Sequence, residues 1–579
     1  MSARSRGRGG PPQRRVATVQ RRGRFLVAEP IFERGPRVAL DRRAKVGAGQ
    51  MALIELGPGR ARALRELGSP DRARDVVDAL LLERAGGRGF AEAIERDAAS
   101  SAERAGAGGA RRNLTDLATF TVDPATARDF DDAVSAHREG DGVRLWIHIA
   151  DVAAHVAPGS ALDREASRRG NSTYVPGTVE PMLPRALSAG ACSLSAGAER
   201  LAVTTEIELG AAGEVRSVSF YRSRIRSDAR LDYDQLDEVF AGRAKPPDPA
   251  AEPLEITRSV ASGLAARPRS GALEVHSAEP EFQFDGDGNV TAAHSVEGTE
   301  AHRLIEQLMI LCNEQVASLL ESKKVPTLYR VHEQPDPERV AFMVEQLASL
   351  DLPTPQLPER LAPREAAMLA AEASRMVAAE AARRGHGREA YTSLVLRALR
   401  QAHYSERNFG HAGLASPAYC HFTSPIRRYP DLLVHRGLLS GIGEGENPPA
   451  PDLARDAAVS CSEREREAAV VERDADDVCA AFLLERELFE SGWDTEFEAE
   501  VSGVIGAGAF VRFGGKLGDV YEGFVPARRL RGERFELNQA QTALIGTKTG
   551  RAVRFGDPIS VRVERIEAPR GRVDLEPEG

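Results

Sequence analysis

The sequence predicts an α+β protein in which one large mixed domain lies between two small β-barrels. Two patterns lead there. Near both ends of the chain, short stretches alternate apolar and polar residues between glycine and proline breaks, as half-buried strands do. In the middle, strand-like alternation gives way to apolar residues recurring at helical spacing. The length agrees: 579 residues are too many for one core and suit about two to four domains. A hydrophobic content of 42% with 28% charged residues is that of an ordinary globular chain.

Taken in order, residues 1–15, "MSARSRGRGGPPQRR", are Gly/Arg/Pro-rich and read as a disordered basic arm. From Met1 to Lys45 there are 13 Lys and Arg against three acids, although the whole chain carries a formal charge of −9. "VATVQRRGRFLVAEP" and "PRVALDRRAKVGAGQMALIEL" alternate as short strands and predict a small barrel ending near Leu56. Residues 60–112 look helical and then lose pattern, with "AASSAERAGAGGARR" as a linker. Residues 16–112 are therefore expected to be a truncated barrel plus linker.

From Asn113, "VRLWIHIADVAAHV", "RLAVTTEIEL" and "GEVRSVSFYRSRIRS" predict strands. Helical spacing follows at 299–322, with Leu304, Leu308, Leu311 and Leu319 on one face. It recurs at about 363–384, 389–405, 430–440 and 460–491. Residues 113–491 form the large domain. After Trp493, about five short strands with glycine turns fill 493–579, which suits an OB-type barrel.

Five scattered cysteines without a CxxC argue against a disulfide framework or a cysteine zinc site and favour a reducing compartment. The basic start has no apolar stretch behind it, and no run approaches about eighteen apolar residues. The expectation is a cytoplasmic protein with no membrane partner. A Walker loop, a GxGxxG after a strand, GxSxG and HExxH are all missing.

Three segments carry candidate chemistry. "TVDPATARDFDDA" places Asp123, Asp129, Asp131 and Asp132 within ten residues. Two such charges about 4 Å apart cost roughly 4 kcal/mol at an effective dielectric near 20. A solvated acidic loop is one reading. Phe130 and flanking strand segments place the carboxylates near a core instead, where unpaired charge is expensive. The spacing does not fit a calcium loop. All-oxygen ligands suit Mg²⁺ or Mn²⁺, and paired Mg²⁺ ions are a recurring device for phosphodiester hydrolysis. In "CHFTSPIRRYPDLLVHR", Arg427 and Arg428 are placed either to clamp a phosphate or to pair with Asp431. In "GNSTYVPGTVEPMLPRALSAGACSLSAG", Tyr174 is either a base-stacking platform or an ordinary tyrosine. His148 and His155 flank Asp151 without metal-ligand company and read as structural.

These segments, with "EAHRLIEQLMILCNEQVA", occur in the order of the catalytic motifs of the ribonuclease II/ribonuclease R (RNB-domain) exoribonucleases, which the chain resembles over about 120–475. Residues 493–575 resemble the S1 RNA-binding domain of that family, and the first 56 or so resemble a cold-shock-type barrel. The resemblance implies processive, hydrolytic 3′→5′ degradation of single-stranded RNA with a free 3′ end to nucleoside 5′-monophosphates, by a monomer using two Mg²⁺ ions (or Mn²⁺). It places the family's four active-site aspartates on Asp123, Asp129, Asp131 and Asp132. Asp123 and Asp132 match the pair holding one Mg²⁺. Asp129 and Asp131 match residues that help hold a second metal and orient water, Asp131 being the most critical. Arg427 matches the catalytic arginine, assisted by Arg428. Tyr174 matches the aromatic on the 3′-terminal base, and Glu472 in "VVERDADDV" matches a glutamate near the terminal sugar.

The chain departs from the family in having room for about one N-terminal cold-shock domain rather than two, with Phe25 and Phe32 as its few stacking candidates. Val175 stands where the family often has Phe, and a lysine-rich tail is not expected. An RNA-binding regulator on a dead nuclease scaffold is the alternative. A DNA- or nucleotide-directed phosphoesterase is a third, disfavoured by the flanking barrels.

Overall fold

The computed structural model describes residues 13–578 except 58, 86–88, 105–109, 268–278, 297, 516–517 and 531. Its first five strands are Arg14–Arg22, Phe25–Pro30, Val38–Ala39, Met51–Leu56 and Ala61–Gly68. They pair in the order third, second, first, fourth, fifth, and a parallel bridge from Leu40 to Ala61 joins the two edges. That is the strand order of an OB barrel.

Three expectations change in this region. The first strand begins inside the stretch read as a disordered arm, of which residues 1–12 lie outside the described residues. The barrel does not stop near Leu56, because "ARALRELG" forms the strand that closes it. Arg, Leu and Glu favour helices intrinsically, and pairing with Met51–Leu56 overrides that preference. The stretch read as a linker begins inside a helix, Glu92–Arg104, where alanine and charged residues suit a helix that buries only Ala98; residues 105–109 of the linker lie outside the described residues.

The centre is a seven-stranded sheet. Its order is Ala229–Asp232, Phe120–Asp123, Asp132–Glu139, Gly142–Ala150, Glu199–Leu209, Val215–Arg226 and Arg112–Asn113. Helices Ala251–Ala265 and Glu300–Ser322 pack beside it. The strand expected to run to Val156 ends at Ala150. Asp151 then caps a short turn, Val152–Ala154, and pairs with Arg111 and Arg222 in the interior. His148 is buried between the hydroxyls of Ser135 and Thr204, a structural role, and burial lowers its pKa to about 3. The helix expected over 389–405 is Arg388–Ala398, followed by a strand, His403–Ser405, paired with Tyr329–Val331.

The last helix is longer than its periodicity suggested. It starts at Pro451, a residue suited to a first helical turn, and runs to Ser491. It touches the N-terminal helix Ala73–Arg84, the hairpin strand Thr173–Val175 and the C-terminal barrel. That barrel closes through Glu496–Ile505, Gly508–Gly515, Gly518–Pro526, Arg572–Pro577 and Pro558–Glu567. A three-stranded sheet, Phe535–Leu537, Ala543–Gly546 and Ala552–Arg554, is inserted in it and was not foreseen. All five cysteines are free and buried. Among the described residues no helix is long and apolar enough to cross a membrane.

Candidate active site

The four aspartates lie where two strands of the central sheet meet at one end. Phe120–Asp123 and Asp132–Glu139 are antiparallel, with Phe120 opposite Val134. The connection between them therefore returns Asp131 and Asp132 to the level of Val122 and Asp123. It is pinned at several points. The Ser193 hydroxyl donates to Arg128 O and accepts the Phe130 amide, while Leu194 N donates to Phe130 O. Ala150 N donates to Asp131 O at 2.9 Å. Arg230 donates to the carbonyls of Pro124 and Ala125 and lies over the Phe130 ring.

The arginine comes from almost three hundred residues away. In "TSPIRRYPD", Pro425 starts a turn closed by Arg427 N to Ser424 O at 3.3 Å. That turn aims the Ile426 amide at Asp131 Oδ1, 2.8 Å away. Arg427 Nε stands 3.7 Å from Asp131 Oδ2, and its Nη2 donates to Ser424 Oγ. Its side chain is 45% exposed, so it meets the carboxylates and solvent together. Arg428 is turned inward onto Asp431 at 2.8 Å, and Asp431 also accepts the Ser424 amide. Its charge still reaches Asp132. Arg428 thus fixes the loop, the ion-pair reading of the sequence, rather than standing beside Arg427 as a second clamp.

Tyr174 occupies the outward position of a hairpin, between buried Thr173 and Val175. Pro176 and Gly177 form its turn, with Gly177 at φ +76 where glycine is favoured. Tyr174 is 39% exposed. Its hydroxyl donates to Asp129 Oδ2 at 3.1 Å, and its amide to Glu472 Oε1 at 2.8 Å. Glu472 therefore reaches the site through the backbone of the platform hairpin. All eight residues singled out in the sequence are thus linked in one region.

Electrostatics mark the same place. Burial, then Asp132 and Asp129, push Asp123 up to about 8. Burial raises Asp132 to about 6 against the pull of Arg427 and Arg428. Asp131 is raised well above the usual range by burial, with Arg427 and the Ile426 amide opposing. Among the described residues, buried Asp123 Oδ2 and Asp131 Oδ2 have no hydrogen-bond partner. Crowded carboxylates with unused oxygens fit a divalent cation. They do not form a ready-made cage: among the described residues no three His, Cys, Asp or Glu side chains close around one point.

Sequence reasoning missed two neighbours. Arg230 and Tyr233 arrive because Ala229–Asp232 pairs in parallel with Phe120–Asp123. The Tyr233 hydroxyl is held protonated by burial and then by Asp132 and Asp123, and its ring stacks on His302 at 3.8 Å. Nothing in local spacing announces a parallel pairing across a hundred residues.

A mixed sheet with an acidic cluster and an arginine at one end, joined to an OB barrel on each side, defines a class of RNB-type proteins. The chain matches the RNB domain over residues 111–443, more than half its length. It is 35% identical to ribonuclease R of Vibrio parahaemolyticus over 482 residues, 80% of this chain but only 56% of that protein. It is 31% identical to ribonuclease R of Aquifex aeolicus over 596 residues, covering 97% of this chain and 81% of that one. The fold superposes on Mycoplasma genitalium RNase R in complex with ribose-methylated single-stranded RNA with a TM-score of 0.85 at 24% identity, over 98% of this chain and 90% of that one. The chain belongs to the ribonuclease II/ribonuclease R family.

Proposed function

We propose that the protein is a divalent-metal-dependent 3′→5′ exoribonuclease that degrades RNA processively to nucleoside 5′-monophosphates, acting as a monomer. The observation that carries this is the convergence of Asp131 with the Ile426 amide and Arg427, segments that meet only in the folded chain. The relatives named ribonuclease R support the same reading.

Asp123 and Asp132 would hold one Mg²⁺ or Mn²⁺, and Asp129 with Asp131 a second. Bound there, such ions supply Lewis-acid stabilisation and lower the pKa of water. The chain's own residues do the rest. Asp131, fixed by the Ile426 amide, orients the attacking water. Arg427 presents fixed positive charge to the scissile phosphate, where preorganised donors are worth about 3–4 kcal/mol. Tyr174 offers its exposed ring to the 3′-terminal base. The flanking barrels add phosphate contacts and aromatic faces, such as Phe25 under Arg24, and Phe510 beside Phe524.

The test uses single-stranded RNA labelled at either end. We expect mononucleotides from the 3′ end with Mg²⁺, none with EDTA, and none from Asp131→Asn. If Asp131→Asn stays within twofold of the parent rate, the site assignment is wrong.

A further inference from the structure

Three of the four aspartates have their orientation set by the sheet or by the arginine loop. Asp123 and Asp132 stand on strands, and Asp131 is gripped by the Ile426 amide. Asp129 is different. It lies half-buried in the irregular connection between the strands, and the Tyr174 hydroxyl reaches its Oδ2 from another element. Base stacking does not need that hydroxyl, since a phenylalanine ring stacks as well.

The tyrosine is itself firmly placed. Its amide is bound by Glu472 on the long helix, and its neighbours Thr173 and Val175 are buried. The turn at Gly177 lies so close to the Phe284 ring that a Cβ there would stand 3.1 Å from it.

We propose that Tyr174 is a positioning residue for Asp129, so that the side chain receiving the 3′-terminal base also orients one of the reacting carboxylates. The inference rests on the exoribonuclease reading above and adds a coupling to it. A base stacked on the ring immobilises the ring, and the hydroxyl passes that order to Asp129. Occupation of the terminal subsite and readiness of the acidic site then become one event. Misplacing a reacting group by about 1 Å costs on the order of a hundredfold in rate.

The experiment compares the full chain with Tyr174→Phe and Tyr174→Leu on RNA carrying 2-aminopurine as the 3′-terminal base. Fluorescence quenching reads stacking, and single-turnover hydrolysis with Mn²⁺ reads chemistry. For Tyr174→Phe we expect quenching and KM within twofold of the parent and a chemical rate about 10–100-fold lower. The Mn²⁺ concentration for half-maximal rate should rise. For Tyr174→Leu we expect quenching lost and KM raised as well. A Tyr174→Phe rate equal to or above the parent's overturns the inference. So does loss of quenching in that variant, because the hydroxyl would then serve the stack itself. An inactive parent would overturn the exoribonuclease reading underneath. An active parent with inactive Asp131→Asn and an unimpaired Tyr174→Phe overturns the coupling alone.

Discussion

Asp123 and Asp132 are the residues whose chemistry can be checked without RNA. Both are pushed up from the ordinary 3.8, Asp123 to about 8 and Asp132 to about 6, burial being the largest cause. A carboxyl raised in the folded state keeps a proton that the unfolded chain releases. In the absence of metal the cluster therefore costs stability as pH climbs from about 4 through 6 to 8. A divalent cation competes with those protons, so its affinity rises over the same window. We expect the increase in Tm on adding Mg²⁺ or Mn²⁺ to be larger at pH 8 than at pH 6 and to shrink in Asp123→Asn. A pH-independent increase would place the cation elsewhere. His148 works at the acid end. Held near 3 against an ordinary 6.5, it stays neutral while the unfolded chain takes a proton, so stability falls as pH drops below about 6.5. The cluster was legible in the sequence because its four acids are neighbours along the chain. The Tyr174–Asp129 and Ile426–Asp131 contacts were not, since 45 and 295 positions separate the partners.

At the scale of elements, the arginine loop is set by one buried side chain. Asp431, in the first turn of helix Tyr429–Gly441, accepts both the Ser424 amide and the Arg428 guanidinium. This fixes both ends of the turn that presents Arg427 and the Ile426 amide. Removing one partner of a buried pair leaves an uncompensated charge and costs about 3–5 kcal/mol. We expect Asp431→Ala to lose that much in urea unfolding, and kcat to fall further than the loss of folded protein explains. Asp431→Asn, which keeps an acceptor for Ser424, should lose less of both. Equal, small losses would make the loop self-supporting. The alternative pairing of Arg428 with Asp431 was readable at i,i+3 spacing, whereas the strand Ala61–Gly68 was not. Its outward Arg62, Arg65 and Glu66 look like a helix surface until the partner strand is known. The strand His403–Ser405 was missed for the same reason, since it exists only through Tyr329–Val331.

At the scale of the whole molecule, the two barrels are not independent appendages. The N-terminal barrel has a small core of its own, Ala17, Val19, Ala28, Leu40, Ala52, Ile54 and Ala61. A domain of that size is marginal alone. Its Val16, Ile31 and Met51 instead join a larger cluster that includes the long helix and the C-terminal barrel. A polar clasp ties the same surfaces. Arg570, in a turn packed on the long helix, donates to Ile31 O and Pro30 O, each at 3.0 Å, while Glu567 holds its remaining nitrogen at 3.0 Å. Removing the donors strands two carbonyls at a part-buried contact, at a cost of about 1–3 kcal/mol. We expect Arg570→Ala to speed amide exchange in Arg14–Arg22 and Phe25–Pro30 by roughly tenfold, about 1.4 kcal/mol. Exchange in Gly142–Ala150, in the central sheet, should not change. With the barrels less firmly registered, RNA held along both should dissociate sooner, so fewer nucleotides are released per binding event against a competitor trap. Hydrolysis of an oligonucleotide too short to reach the barrels should keep its rate. Uniformly faster exchange would mean that Arg570 supports the whole fold rather than the clasp. Unchanged exchange with unchanged processivity would mean that the apolar cluster alone keeps the barrels together.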